Sequence, residues 1–243
     1  MKNLLLLALL SVAAPAHSWA QNAPAARTET RALPAFTAID VTDGIQLEVR
    51  SGPASEAVVD ASTAQFRRMT KTVVEGAVLK VYFDYQHEPN WQGLVHSREV
   101  FKVVVTMPEL HTLTAADGAE VTLNKAVTAG PAGTLAVQLR SGATLGGAVQ
   151  LQALDIQLRG GATAHLTGTA ATLQLRVTGG SDFRSPQLQT SQCTAFASSA
   201  STARLAVSKT LDASAINEAI IKYSGPAQLT QERREQGGKI LHL

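Results

Sequence analysis

Glycoside cleavage needs two or three carboxylates converging in one groove. Asp155 lies six residues before Gly161 and Asp182 two after Gly180, offsets that set them on different parts of any coil in register with those glycines. Asp117, directly before Gly118, reads as a turn former. The histidines His87, His96, His111, His165 and His242 show no HxH or HExxH spacing, and no cysteine accompanies them, so no metal site is assigned. His87, Glu88 and His96 could meet at one ion only if their loop folds back, and ordinary solvent exposure is the reading taken. No GxSxG elbow is present. Cys193, the single cysteine, shares a position with Leu135, Leu154 and Leu173 and reads as a buried thiol, not a nucleophile. No catalytic residue, metal or cofactor is therefore predicted.

Two features remain as candidate ligand surfaces. Arg140 and Arg159 each stand two residues before a glycine, with Arg176 two residues off that column in the next repeat. Outward cations on neighbouring strands repel unless solvated or bound to an anion, so an anionic polymer could use them, although long arginines can also splay into water. The second feature is the polar and aromatic excursion over residues 84–99, with Tyr85 and Trp91. Aromatic faces stack on sugars, and insertions often carry function on a rigid scaffold, yet Trp91 could equally cap the neighbouring strands.

The elements that hold these residues are strands. Apolar residues alternate with polar ones from Phe36 onward, and Asp43-Gly44 supplies a turn. Val73 to Phe83 and Val100 to Met107 read as further strands. Leu135-Val137-Leu139 before Gly142, Leu154-Ile156-Leu158 before Gly161 and Leu173-Leu175-Val177 before Gly180 form a repeat of about 19 residues. Degenerate copies follow as Cys193-Ala195-Ala197 before Ala200 and Leu211-Ala213-Ala215 before Glu218. Alternation buries one strand face, and glycine permits the positive φ of a sharp turn. The pattern predicts a single-stranded right-handed parallel β-helix, an all-β solenoid with about 19 residues per turn and almost no helix. An antiparallel sandwich or barrel is the rival, but its strands would not share register in this way.

Lys2 and the apolar run from Leu4 read as an export signal over residues 1–20, with small residues at Ser18 and Ala20 for cleavage after Ala20. Residues 21–32 form a flexible leader, 33–227 the β domain and 228–243 a C-terminal cap or tail. The predicted location is periplasmic or extracellular, at the cell surface, with no membrane span after signal removal. Twenty-one Lys and Arg against 19 Asp and Glu leave too little net charge to suggest nucleic acid as a partner. One cysteine excludes an intramolecular disulfide.

The rungs Leu135 to Ala143 and Leu154 to Ala162 resemble those of the putative autotransporter-adhesin, head-GIN domain family. Phe36-x-x-Ile39-x-Val41, Met107-Pro108-Glu109-Leu110 and Tyr223-Ser224-Gly225-Pro226 carry the same resemblance, over about residues 33–227. Ala200 and Glu218 depart from it where glycines are expected. The resemblance implies bacterial exported β-helical proteins of undefined biochemical role. The function read from these residues is a non-enzymatic envelope or surface module that binds a polysaccharide or a surface protein. A carbohydrate-active enzyme, lyase or hydrolase, is the alternative.

Overall fold

The computed structural model describes residues 27–86, 101–127 and 133–243. All its strands belong to one sheet, curled into a half-barrel, with both parallel and antiparallel neighbours. The predicted uniform right-handed parallel β-helix is therefore corrected: β1 (Thr28–Ala32) runs antiparallel to β4 (Glu56–Asp60). In turn, β4 runs antiparallel to β7 (Lys102–Met107). The expected strand from Val73 to Phe83 is a hairpin of β5 (Thr70–Glu75) and β6 (Val78–Phe83), reversed at Gly76, whose φ is 62°. A short helix, α1 (Ala64–Met69), is the single helix among the described residues. It is capped by the Thr63 hydroxyl, which accepts from the Phe66 amide at 3.1 Å. The physical reason for these departures is local. The 19-residue register belongs to the later repeats, and the earlier segments reverse direction between their strands.

Beyond this mixed region the sheet is parallel. β2 (Ala38–Val41) pairs with β6 and with β8 (Thr112–Ala115), and β3 (Gln46–Ser51) pairs with β7 and β9 (Glu120–Val127). β10 (Thr134–Leu139) then leads into β11 (Thr144–Leu158), β12 (Thr163–Val177), β13 (Asp182–Ala197) and β14 (Thr202–Ile216). Each of these long strands has two halves. The first half of β11 pairs with β9 and the second with β10, while both pair with β12. The joint is visible in the burial pattern, where two non-buried residues in succession (Gln152-Ala153, Ala171-Thr172, Ser191-Gln192) break the alternation. β15 (Ile220–Ser224) and β16 (Gln228–Glu235) pair with the two halves of β14, and β17 (Lys239–His242) pairs with β15.

The repeat's apolar residues line the interior in columns. Leu135, Leu154, Leu173, Cys193 and Leu211 form one, all 4% exposed or less, and Val137, Ile156, Leu175, Ala195 and Ala213 the next. The spacing is 19 residues from Leu135 to Leu154 to Leu173, and then shifts to Cys193 and Leu211 through bulges in β13. Where the β13 column shrinks to Cys193 and Ala195, the first half of the same strand supplies the fully buried Phe183 and Leu188.

The turns stack as regularly as the strands. Asp43-Gly44, Asp117-Gly118, Ser141-Gly142, Gly160-Gly161, Gly179-Gly180, Ser199-Ala200 and Asn217-Glu218 all place two consecutive residues at positive φ. The second amide of each pair donates to the carbonyl of the first residue in the next, as from Gly118 to Ser141 (3.0 Å) and from Gly142 to Gly160 (3.0 Å). This hydrogen-bonded column separates the second half of one strand from the first half of the next, as Gly160-Gly161 does between β11 and β12.

Candidate ligand-binding surface

The sequence-predicted arginines do not make one line. Arg140 and Arg159 are exposed and directly follow β10 and β11, whose last residues, Leu139 and Leu158, are register partners. The Arg159 guanidinium donates to the Gln157 side chain at 3.1 Å. Arg176 lies opposite Gln157, in the neighbouring column, with its guanidinium 4.6 Å above the Phe196 ring. Two of the three are thus occupied by side chains of their own face. Acidic groups share that face, since Asp155 and Asp212 flank Gln174 and Thr194 in one outward row.

Tyr85 packs 4.9 Å from Phe83, at the margin of an aromatic cluster in which Phe101 approaches Phe83 at 4.6 Å and Phe66 at 5.4 Å. Burial, reinforced by the nearby Asp43 carboxylate, raises the Tyr85 hydroxyl above its ordinary value. Trp91, His87, Glu88 and His96 lie outside the described residues. The two carboxylates considered for glycoside chemistry are on different halves of the strands. Asp155 pairs with Gln174 in the second halves, and Asp182 with Thr163 and Thr202 in the first.

An open groove of about 510 Å³ runs over β3, β7 and β9, between Gln46, Glu48, Lys102, Glu120, Thr122 and Asn124. Both of its carboxylates are engaged. Glu48 accepts from Arg50 (2.8 Å), Asn124 (2.6 Å) and Lys102 (3.0 Å), which pull its pKa down to about 2. Glu120 accepts from the Gln46 amide at 3.1 Å. A second groove of about 380 Å³ crosses β12, β13, β14 and β16, lined by threonines, glutamines and Asp212. Beneath it the Cys193 thiol is pushed up to about 12, by burial first and the Asp212 charge second, so it stays protonated and inert.

A different row carries the free positive charge, and sequence reasoning missed it. Arg184 pairs in register with Arg204, and Arg204 with Lys222. His165 precedes them in the row, since the residues just before it and Arg184 (Ala164 and Phe183) are themselves paired. Arg184 forms an exposed ion pair with Asp182 at 2.6 Å. Among the described residues no carboxylate pairs with Arg204 or Lys222. Across the first halves of β11 to β14 with β15 and β17, Asp182 is the single acidic residue, against Arg184, Arg204, Lys209, Lys222 and Lys239. The near-neutral chain therefore segregates its charge. The one available signal was the basic residue at a constant offset after the turn pairs, in segments that the repeat's glycine register did not cover.

The model of the family described as "Putative auto-transporter adhesin, head GIN domain" matches residues 35–227. Among solved structures, the fold is similar to a "putative adhesin" from Bacteroides fragilis, at 15% identity and a TM-score of 0.71, covering 89% of this chain and 96% of that one. It is also similar to a "putative adhesin" from Parabacteroides distasonis, at 15% identity and TM-score 0.67 over 89% and 96% of the two chains. A "putative lipid binding protein" from the same organism shares 17% identity, with a TM-score of 0.66 over 89% and 96%. No curated protein sequence matches this chain. At such identities the structural likeness speaks for the fold alone. The family match spans most of the chain and has the repeat, the turn pairs and the closing Tyr223-Ser224-Gly225-Pro226 within it, so this chain belongs to the auto-transporter adhesin, head GIN domain family.

Proposed function

We propose that the protein is a non-enzymatic, exported binding module that engages its ligand on the basic outer face formed by the first halves of β11 to β14 with β15 and β17. The observation that carries this reading is the segregation of charge, with Arg204 and Lys222 unneutralised on a rigid parallel surface. Uncompensated like charges on neighbouring strands raise the energy of the folded protein and are relieved by a bound anion. The family's adhesin name and the adhesin-like relatives fit a surface module, and they suggest an exported or surface location. No helix among the described residues is long and apolar enough to cross a membrane. Export through residues 1–20, with cleavage after Ala20, belongs to the same proposal.

The test is a combined glycan and bacterial-surface binding array with purified protein lacking residues 1–20. Retention on at least one class of surface or glycan is the expected result. Clean negatives across both arrays would remove the binding-module reading. Turnover of a polysaccharide, lost on Asp155→Asn or Asp182→Asn, would replace it with an enzyme.

A further inference from the structure

We infer that the row His165–Arg184–Arg204–Lys222 is the binding site for a linear acidic polysaccharide lying across the strands; this assignment rests on the binding-module reading above. Three observations carry it. The first is spacing. Arg184, Arg204 and Lys222 are register partners on three successive strands, so their α-carbons repeat every ~4.8 Å along a straight line. A pyranose unit in an extended chain has about that length, so a polymer running perpendicular to the strands offers one acidic group to each cation. Guanidinium groups suit this role because they hold carboxylate or sulfate oxygens through two parallel N–H bonds.

The second observation is the chemistry beside the row. Thr163 and Thr202 flank Asp182 in the adjoining outward row, where partly exposed hydroxyls can meet sugar hydroxyls. The third is what the row lacks. It contains no Trp, Tyr or Phe on which nucleobases would stack. Only Leu241, opposite Lys222, adds an exposed apolar group, too little for insertion into a bilayer. Asp182 is the one opposing charge, and it already engages Arg184.

Binding would be measured for the chain lacking residues 1–20 against polygalacturonate and heparin, with dextran, oligo-dT and phosphatidylserine vesicles as competing arms. The expected result is binding to an acidic polysaccharide that weakens with added salt and exceeds every competing arm. Arg204→Glu with Lys222→Glu should weaken it by at least about tenfold, while Arg140→Glu with Arg159→Glu on the other halves should change it by less than about twofold. Asp182→Asn should tighten binding, a gain that a merely structural role for the row would not produce. Thermal unfolding of each variant separates loss of binding from loss of fold, and the Asp182 variant keeps the site testable should the double reversal not fold. Equal binding to dextran, tighter binding to oligo-dT or vesicles, or indifference to both the reversal and Asp182→Asn would overturn the assignment. Cell or neutral-glycan binding that survives the reversal would remove this site and leave the binding module standing, whereas silence on every surface removes both.

Discussion

Glu48 accepts from three donors on an outward sheet face, with its side chain only 13% exposed. The charged form is held by Arg50 first, then Asn124 and Lys102, so the folded pKa of about 2 lies below the ordinary value of 4.5. A depressed carboxyl pKa contributes stability that is present above the ordinary value and is lost as pH falls through the folded one. Glu48→Gln should therefore destabilise the protein at neutral pH by about 1 kcal/mol, the scale of a screened surface cluster. The gap from the parent should close between pH 4.5 and about 2, as read by denaturant unfolding across that range. None of this was legible in sequence. Glu48 and Asn124 are 76 positions apart, and only the pairing of β3 with β7 and β9 brings Lys102 and Asn124 to one carboxylate. Cys193 was legible, because a thiol in a column of leucines has one simple explanation, and it is 4% exposed.

At the scale of elements, the stacked turns are the most constrained part of the chain. Most second turn positions are glycine, but Ala200 and Glu218 occupy them at φ of 55° and 63°. A side chain in the left-handed region costs about 1–2 kcal/mol, and glycine returns about half of that through its larger unfolded-state entropy. Ala200→Gly and Glu218→Gly should each stabilise the fold by about 0.5–1 kcal/mol, raising the thermal midpoint by about 2 °C in a chain of this size. Calorimetry of the single and double variants checks this, and a fall in midpoint would show that these residues hold the turn by contacts. The reverse change at Gly168 should be severe for a different reason. Its φ is 101°, and an added Cβ would collide with the Val149 carbonyl. Only half of each long strand was readable beforehand. The second halves alternate cleanly, whereas Gly146-Gly147, Gly168 and Ser185-Pro186 interrupt the first halves with close approaches and register shifts.

The whole molecule is organised by one continuous core, from Phe36 to Ile240, and a small satellite of Ala61, Phe66, Met69 and Phe83 under α1. Arg31 ties this satellite to β1, donating to the carbonyls of Thr70 (2.6 Å) and Arg67 (2.7 Å). Cooperative units follow contiguous packing, so the satellite should open at lower free energy than the parallel strands. Hydrogen exchange should show α1 and β1 exchanging well before β11 to β14, and uniform protection across both would contradict this division. The same whole-molecule organisation creates the basic face. Net composition averages it away, since the balancing acids sit in the mixed N-terminal region and on the other strand halves.

The all-β class, the residues that fill the inner columns and the places of the turn pairs could all be read from the sequence. These are properties of alternation and local backbone preference, readable within a single repeat. The sequence also carried the family resemblance, through motifs that are local in the same sense. That the sheet is mixed and curled, not one uniform parallel coil, emerged with the folded chain, because strand direction depends on reversals such as the one at Gly76. Which charges meet was set there as well. A single bulged residue moves every later side chain to the opposite face, so the row that joins Arg184 to Arg204 and Lys222 exists only once the register of three strands is set.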